Sequence, residues 1–528
     1  MVSTFFGLEI AKRGMSAQQS ALSVTAHNIA NANTPGYTRQ RVNFVQTEPF
    51  PSPGINRPQI PGQLGTGVEA GSVQRIRDSF LDMQYRNEQN KVGYWGTKTN
   101  TMMQMEEVMN EPSDSGLAKT MDTFWQSLQD LAVNPKNPGA RAVVREQGIA
   151  LAETFQYLSS SLSGIRQDIG KEIDVTEKEV NSLLQQINSI NDQIAAVEPH
   201  GYLPNDLYDE RDRLIDQLSG LVNVKVSYAP TGGNAIEGAE GKVMIDLVGP
   251  NNAPIANLLD EKGYKEIKVN YTPTNEEKYV TSVSVGSREV RFTSEGKLMG
   301  LIESFGIKDG NGVSGTYPKM LEELDNLAFT FAVEFNKVHY AGMSPNEISK
   351  QENLDIPFFQ DSSKSSLLLK DANGNLIADE TLRKGFAQRM EISDEIRASL
   401  DNIANADGTD PTTAVTGDAT ALQNLAEIIN KEFDYGNKSE MANFRNYYEV
   451  LIGGMAVDTQ NANRLAENSS ALKQAVEERR MSTSSVSLDE EMTNMIQFQH
   501  AYNASARMIS LQDEILDKII NGMGVGGR

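Results

Sequence analysis

The densest set of ionisable side chains lies in LPNDLYDERDRLIDQL, where Asp206, Asp209, Glu210, Asp212 and Asp216 interleave with Arg211 and Arg213. Carboxylates at helical spacing could serve acid–base catalysis if their environments drove their proton affinities apart. Arginines alternating with them predict instead a salt-bridged helix surface. The four histidines, His27, His200, His339 and His500, are scattered, and there is no cysteine. Neither HExxH nor Cys/His spacing for a metal is present. DANGN at Asp371–Asn375 starts like a calcium loop but lacks glycine at the sixth position and glutamate at the twelfth, so it predicts a turn. The methionines of TMMQMEEVM predict adaptable core packing rather than a metal or redox cluster. There is no P-loop and no GxSxG elbow. The residues thus yield no catalytic, cofactor-binding or metal-binding site.

Composition narrows the remaining classes. The 528 residues allow two to four domains with ample cores. Lys+Arg 48 against Asp+Glu 71 leaves a net charge of −23, which repels nucleic acid and anionic membranes. No apolar run approaches the ~18 residues of a membrane span. The opening MVSTFFGLEIAKRG lacks a basic segment followed by an apolar one, so no Sec signal peptide is expected.

The elements are mostly long helices. At the C-terminal end, Leu488, Met492, Met495, Gln499, Tyr502, Ala506, Ile509, Asp513, Leu516 and Ile520 keep a 4-3 spacing. A second row, Ile496, Phe498, Leu511, Ile515 and Ile519, makes the helix apolar beyond what one partner covers. Ser487 with Glu490 predicts a capping box at its start. Leu8, Ala11, Met15, Gln18, Leu22, Thr25 and Ile29 predict an amphipathic helix at the other end of the chain. It stops at AHNIANANTPGYTRQ, where Pro35 and Gly36 suit a type II turn and Asn28, Asn31 and Asn33 tolerate helix-end geometry. Between these ends, residues 49–71 read as an extended connector and a helix begins near Arg75 with Ile76, Phe80 and Met83 on one face. A rod from about Arg141 to Val197 carries a seam from Phe155 to Val197 with a stutter at Ile165–Ile169–Ile173. Residues 225–317 read as a small, separately folded β-rich insertion. Residues 343–420 show little pattern, and Phe444–Arg480 carries a second sustained seam.

NIANANTPGYTRQ and SLDEEMTNMIQFQHAYNASARMI, at opposite ends, together resemble the signatures of the flagellar rod, hook and hook-associated axial family. The LDEE form of the second is most similar to the first hook-associated group, at the hook–filament junction. The resemblance implies a mainly α fold with an inserted β-rich domain. Its expected parts are a terminal coiled-coil core (1–45 and 485–528), a long-helix shell (46–224 and 318–484) and an outer β domain (225–317). It implies a non-enzymatic structural subunit, exported by the flagellar type III apparatus and assembled outside the cell through paired terminal helices. Implied partners are like subunits in a ring, hook protein, a second junction protein leading to the flagellin filament, and a cytoplasmic export chaperone; nucleic acid and membrane are not expected. The expected assembly interface is Leu8, Met15, Leu22, Ile29, Leu488, Met492, Met495, Phe498, Tyr502, Ile509, Leu516 and Ile520. The signature turn is Asn28, Asn31, Asn33, Pro35, Gly36 and Tyr37, and the expected chaperone contacts are Met495, Phe498, Tyr502, Ile509 and Leu516. The alternatives are another axial subunit (hook or distal rod), a secreted enzyme carried on helical ends, or a membrane-inserting effector, which would need a span absent here.

Overall fold

The computed structural model describes residues 5–522 apart from 52–61, 110–115, 274–276, 311, 372–374, 409–411 and 437–440. Helix α1 (Phe6–Ala30) leads into an antiparallel ribbon of β1 (Gln40–Gln46) and β2 (Val68–Arg75). Helices α2 (Ser79–Met109), α3 (Leu117–Val133), α4 (Pro138–Val197) and α5 (Asn205–Leu221) follow. Strands β3 (Val224–Ala229), β4 (Lys242–Val248), β5 (Pro254–Asp260) and β6 (Gly263–Tyr264) form a four-stranded antiparallel sheet in sequential order. Strands β7 (Ile267–Tyr271), β8 (Val280–Val285) and β9 (Arg288–Val290) precede helix α6 (Lys297–Phe305). They join β10 (Ile307–Asp309) and β11 (Gly312–Ser314) in a second sheet, in which β10 runs parallel to β8.

Helix α7 (Thr316–Ala341) opens the second half. Short pieces come next: β12 (Gly342–Met343), α8 (Pro345–Lys350), β13 (Phe359–Asp361), β14 (Leu368–Lys370), β15 (Leu376–Ala378), α9 (Phe386–Arg389), β16 (Met390–Ile392), α10 (Asp394–Ala398), β17 (Ala406–Asp407) and α11 (Thr420–Glu427). Two long helices, α12 (Phe444–Ser484) and α13 (Leu488–Asp517), close the described chain. The pairing is nested, with α1 against α13, α2 against α12, and α3 against α11, α3 also lying beside α4.

The spine is α4. Its 60 residues span about 90 Å at 1.5 Å each. Asn137 caps it by accepting from the backbone N–H of Gly139 and Ala140, and Pro138 at the first turn sacrifices no helical bond. The seam read from the sequence is buried from Phe155 to Ile194 except at Ile165, inside the stutter, which is half-buried. Helix α7 supplies Phe331 and Phe335, which pack with Phe124, Phe358 and Phe359 at ring separations of 4.9–6.1 Å. Met102, Met105 and Met109 are buried, as core packing requires.

Two readings change. Phe80 and Met83 face solvent, and the buried residues at the start of α2 are Asp82, Arg86 and Asn90. A hydrophobicity pattern cannot show a buried face that is polar. The segment 225–317 does not close a core of its own, because Val243, Ile245, Ile267 and Val269 share one apolar cluster with Val180, Leu184 and Ile187 of α4. Strands β4 and β7 are bonded to α4 as well. The Asn191 amide exchanges hydrogen bonds with the backbone of Val243 (2.8 and 3.0 Å), and Asn181 does the same with Ile267 (2.8 Å each). Excising the segment would strip these partners from α4.

The weakly patterned stretch after Met343 is ordered by polar joints. The Arg141 guanidinium donates to the carbonyls of Pro135, Leu400 and Ile403 and to Asn405 Oδ1, at 2.8–3.2 Å. His339 accepts from the N–H of Ala404 at Nε2 (3.1 Å) and donates from Nδ1 to the carbonyl of Ile356 (2.9 Å). Burial pulls its pKa down to about 4, which keeps it neutral. Of DANGN, residues 372–374 lie outside the described residues; Asn375 donates back to Asp371, closing the β14–β15 turn.

Candidate assembly interface

Helix α1 is sandwiched between α13 and the β1–β2 ribbon. A Cβ on Gly7 would sit 2.9 Å from Gln512 Nε2, and one on Gly14 would sit 3.3 Å from Ser505 Oγ; Asn28 bonds Glu491. As the α1 position rises through 7, 14 and 28, its partner falls by the same steps through 512, 505 and 491. The pair is therefore antiparallel without slip. Small residues make this approach possible, and Ala11, Ala17, Ala21 and Thr25 are the buried positions of α1 together with Asn28. Leu8, Met15, Leu22 and Ile29 are only half-buried flanks.

Helix α13 divides its apolar residues between two faces. Met495, Phe498, Tyr502, Ile509 and Leu516 are half-buried, with Phe498 edge-on to Phe44 at 6.1 Å. Leu488, Met492 and Ile520 point to solvent instead, in company with Ile496, Met508, Leu511, Ile515 and Ile519, which are each 42–54% exposed. The one seam drawn from periodicity is thus two half-seams on different faces. Seven or more large apolar side chains remain uncovered along about 45 Å of helix.

The capping box at Ser487 does not form. Ser487 holds the N-cap position without a side-chain cap bond, and Glu490 instead pairs with Arg39 Nη2 at 2.9 Å. Arg39 also holds Glu491, Nε to Oε1, at 2.7 Å, and its backbone N–H donates to the carbonyl of Ser484 at 2.9 Å. The signature turn organises this corner. Gly36 has φ +83° and Tyr37 N–H donates to the carbonyl of Thr34, as a type II turn demands. Asn31 donates from its amide to the carbonyl of His27 and accepts from the Thr34 hydroxyl. Asn33 is exposed, as is Pro35. Burial, with Asp209 and Asp206 adding to it, raises the pKa of the Tyr37 hydroxyl, which donates to Asn28 Oδ1 at 2.7 Å.

Behind the corner lies a charge cluster that local reading placed on the surface. Asp212 is buried among Arg75 (3.0 Å), Arg77 (2.9 Å) and Arg86 (3.1 Å). Asp209 bonds Arg75 and the N–H of Thr38, Asp216 bonds Arg86 and Arg480, and Arg480 also reaches Asp82. Glu240 bridges Arg75 and Arg211. Burial opposes the charge on Asp212, but Arg77, Arg75, Arg86 and Arg211 overcome it and hold the carboxyl well below the usual range. Glu210 and Arg213 do form the expected surface pair. Within the segment read as one salt-bridged surface, Asp209, Arg211 and Asp212 are therefore corrected to buried positions: Asp209 and Asp212 meet Arg75 of β2, Asp212 also meets Arg77 and Arg86 at and within the start of α2, and Arg211 meets Glu240 and the carbonyl of Gly241 ahead of β4. Among the described residues no group of three or more His, Asp or Glu side chains is arranged to hold a metal ion, and no helix is long and apolar enough to cross a membrane. A groove of about 1030 Å³ between α2, α6, α7 and α12 is lined by methionines with Trp95 and Tyr447.

Paired terminal helices thus lie on a helical shell and leave large apolar side chains of α13 uncovered. Residues 8–38 match the flagella basal body rod protein family and residues 477–522 the C-terminal part of the basal body rod FlgEFG proteins. Residues 102–359 match the helical domain of flagellar hook-associated protein FlgK. The chain is 46% identical to flagellar hook-associated protein 1 of Bacillus subtilis over 100% of both chains, and belongs to that family. It is 24% identical to flagellar hook-associated protein 1 of Salmonella typhimurium over 97% of this chain and 98% of the other. In fold it is similar to the flagellar hook junction protein FlgK of Burkholderia pseudomallei, with TM-score 0.58, 14% identity, and coverage of 77% of this chain and 100% of that one.

Proposed function

We propose that this chain is a structural, non-enzymatic subunit of the flagellar hook–filament junction and forms a ring of like subunits through the outward face of α13. The observation that carries this reading is the stripe Leu488, Met492, Ile496, Met508, Leu511, Ile515 and Ile519. Its residues are about half exposed on a helix already paired on its other side with α1. Two such runs of exposed apolar side chains on one helix, Leu488–Ile496 and Met508–Ile519, mark an interface. Hook protein on one side and a second junction protein leading to the filament on the other are the axial neighbours this family implies. Delivery is through the flagellar type III apparatus to the outside of the cell.

An export chaperone would shield α13 before assembly. Met495, Phe498, Tyr502, Ile509 and Leu516 remain the proposed contacts for a chaperone acting before α1 docks, since α1 and Phe44 take that face in the folded chain. The test is the triple variant Ile496→Ser, Leu511→Ser, Ile515→Ser. Each side chain would bury its exposed half on assembly, worth about 1 kcal/mol apiece, so together they should weaken subunit association roughly 100-fold. Helix content should not change. Cells carrying this variant should export the protein but fail to retain filaments. Normal filaments and swimming would refute the stripe as the ring contact.

A further inference from the structure

The terminal pair carries its strongest polar bonding at one end. Asn28 is fully buried and uses every hydrogen-bonding position of its amide. Oδ1 accepts from the N–H of Gln40 (3.0 Å) and from the Tyr37 hydroxyl (2.7 Å). Nδ2 donates to the carbonyl of Gln40 (2.8 Å) and to Glu491 Oε2 (3.1 Å). Two donors and two acceptors on one planar group are what only an amide offers, and glutamine would be one methylene too long. Glu491, 2% exposed, gives its other oxygen to Arg39. Towards the opposite end, the approach of Gly7 to Gln512 and of Gly14 to Ser505 is made by small residues and half-buried flanks. A seam of small side chains tolerates sliding by a helical turn, because each position meets another of similar shape. A single buried polar contact removes that freedom, since any slip leaves a charge and an amide unpaired.

We propose that Asn28 and Glu491, with Arg39, are the positioning residues of the terminal core: they set the register of α1 on α13, and the pair orders outward from this clamp. The clamp also fixes where the pair leaves the shell. Arg39 takes the carbonyl of Ser484 at the end of α12, its own carbonyl accepts from Ile76, and Thr38 next to it is bonded by Asp209 of the charge cluster. These bonds lie within one chain and do not depend on which axial partner the stripe meets.

The chain has no cysteine, so register can be read by engineered disulfides in the full-length chain, free and assembled. Gly14→Cys with Ser505→Cys reports the observed register, and Gly14→Cys with Tyr502→Cys reports a slip of one turn. In the otherwise native chain the first pair should oxidise at least tenfold faster than the second. Asn28→Asp keeps the size but loses both donors and sets a carboxylate against Glu491; it should abolish that preference. Hydrogen exchange should rise at least tenfold over residues 20–30 and 488–500 while α4 and α7 stay protected. Glu491→Gln, which keeps an acceptor for Arg39, should move both readouts in the same direction by less, and it serves if Asn28→Asp does not fold. Adding Glu491→Gln to Asn28→Asp restores an amide-to-carboxylate bond of reversed polarity and should recover part of the preference, which a merely destabilised helix would not. Unchanged disulfide preference in the single variants, or exchange that rises equally along both helices, would overturn the proposal.

Discussion

Asp212→Asn isolates the charge cluster from everything else in the fold. The side chain is about 3% exposed and touches Arg75, Arg77 and Arg86 at 2.9–3.1 Å. Five arginines (Arg75, Arg77, Arg86, Arg211 and Arg480) face five carboxylates (Asp82, Asp209, Asp212, Asp216 and Glu240), so removing one negative charge leaves the buried set one positive charge in excess. Breaking a buried pair from one side costs about 3–5 kcal/mol, because the remaining charge cannot return to water. That is a large share of the 5–15 kcal/mol by which folded domains are usually stable. The carboxyl pKa of Asp212 is depressed in the folded state. Its contribution is therefore present above the unfolded carboxylate value of about 3.9 and is lost as pH falls through the folded one. Urea unfolding followed by fluorescence of Trp95 and Trp125 should show the full gap between wild type and variant at pH 7, narrowing below about pH 4. Asp168→Asn, an exposed partner of Lys171, should change stability by no more than about 0.5 kcal/mol. A loss below about 1 kcal/mol for Asp212→Asn at pH 7, or a gap that does not narrow in acid, would refute the view that the cluster holds α2, α5 and α12 together.

Three further outcomes follow from single positions. His339 has a folded pKa of about 4 against about 6.5 unfolded, so its contribution is complete above pH 6.5 and falls away as pH drops towards 4. Stability should drop by roughly 2 kcal/mol from pH 7 to pH 5 through this residue, and His339→Gln should remove that share from the urea profile. Gly93→Ala would place a Cβ 2.0 Å from the carbonyl oxygen of Gly220 and force α2 off α5, lowering the melting temperature by several degrees. Gly164→Ala, on an open stretch of α4, should instead stabilise by about 0.5–1 kcal/mol.

Periodicity alone determined the long helices of this chain. Where one stripe of a helix is buried along its whole length, as from Phe155 to Ile194, the 3.5-residue repeat is the burial pattern itself. Turn chemistry was equally legible, since Pro35 and Gly36 restrict their own backbone whatever surrounds them. The two terminal signatures likewise pointed to paired ends. Tertiary structure decided what depends on partners far away in sequence. Glu490 and Glu491 look like cap and surface charges until Arg39 arrives from more than 450 positions away. Asp212 reads as solvated beside Arg211 and Arg213, yet its direct partners come from residues 75, 77 and 86. The apolar rows of α13 could be counted from sequence but not divided between α1 and solvent, because a helix with two apolar faces carries no record of which one its own chain will cover. The same holds for 225–317, whose strands alternate as an independent sheet would while their inner face is completed by α4. A strand's period of two reports that one face is buried, and only the fold supplies what buries it.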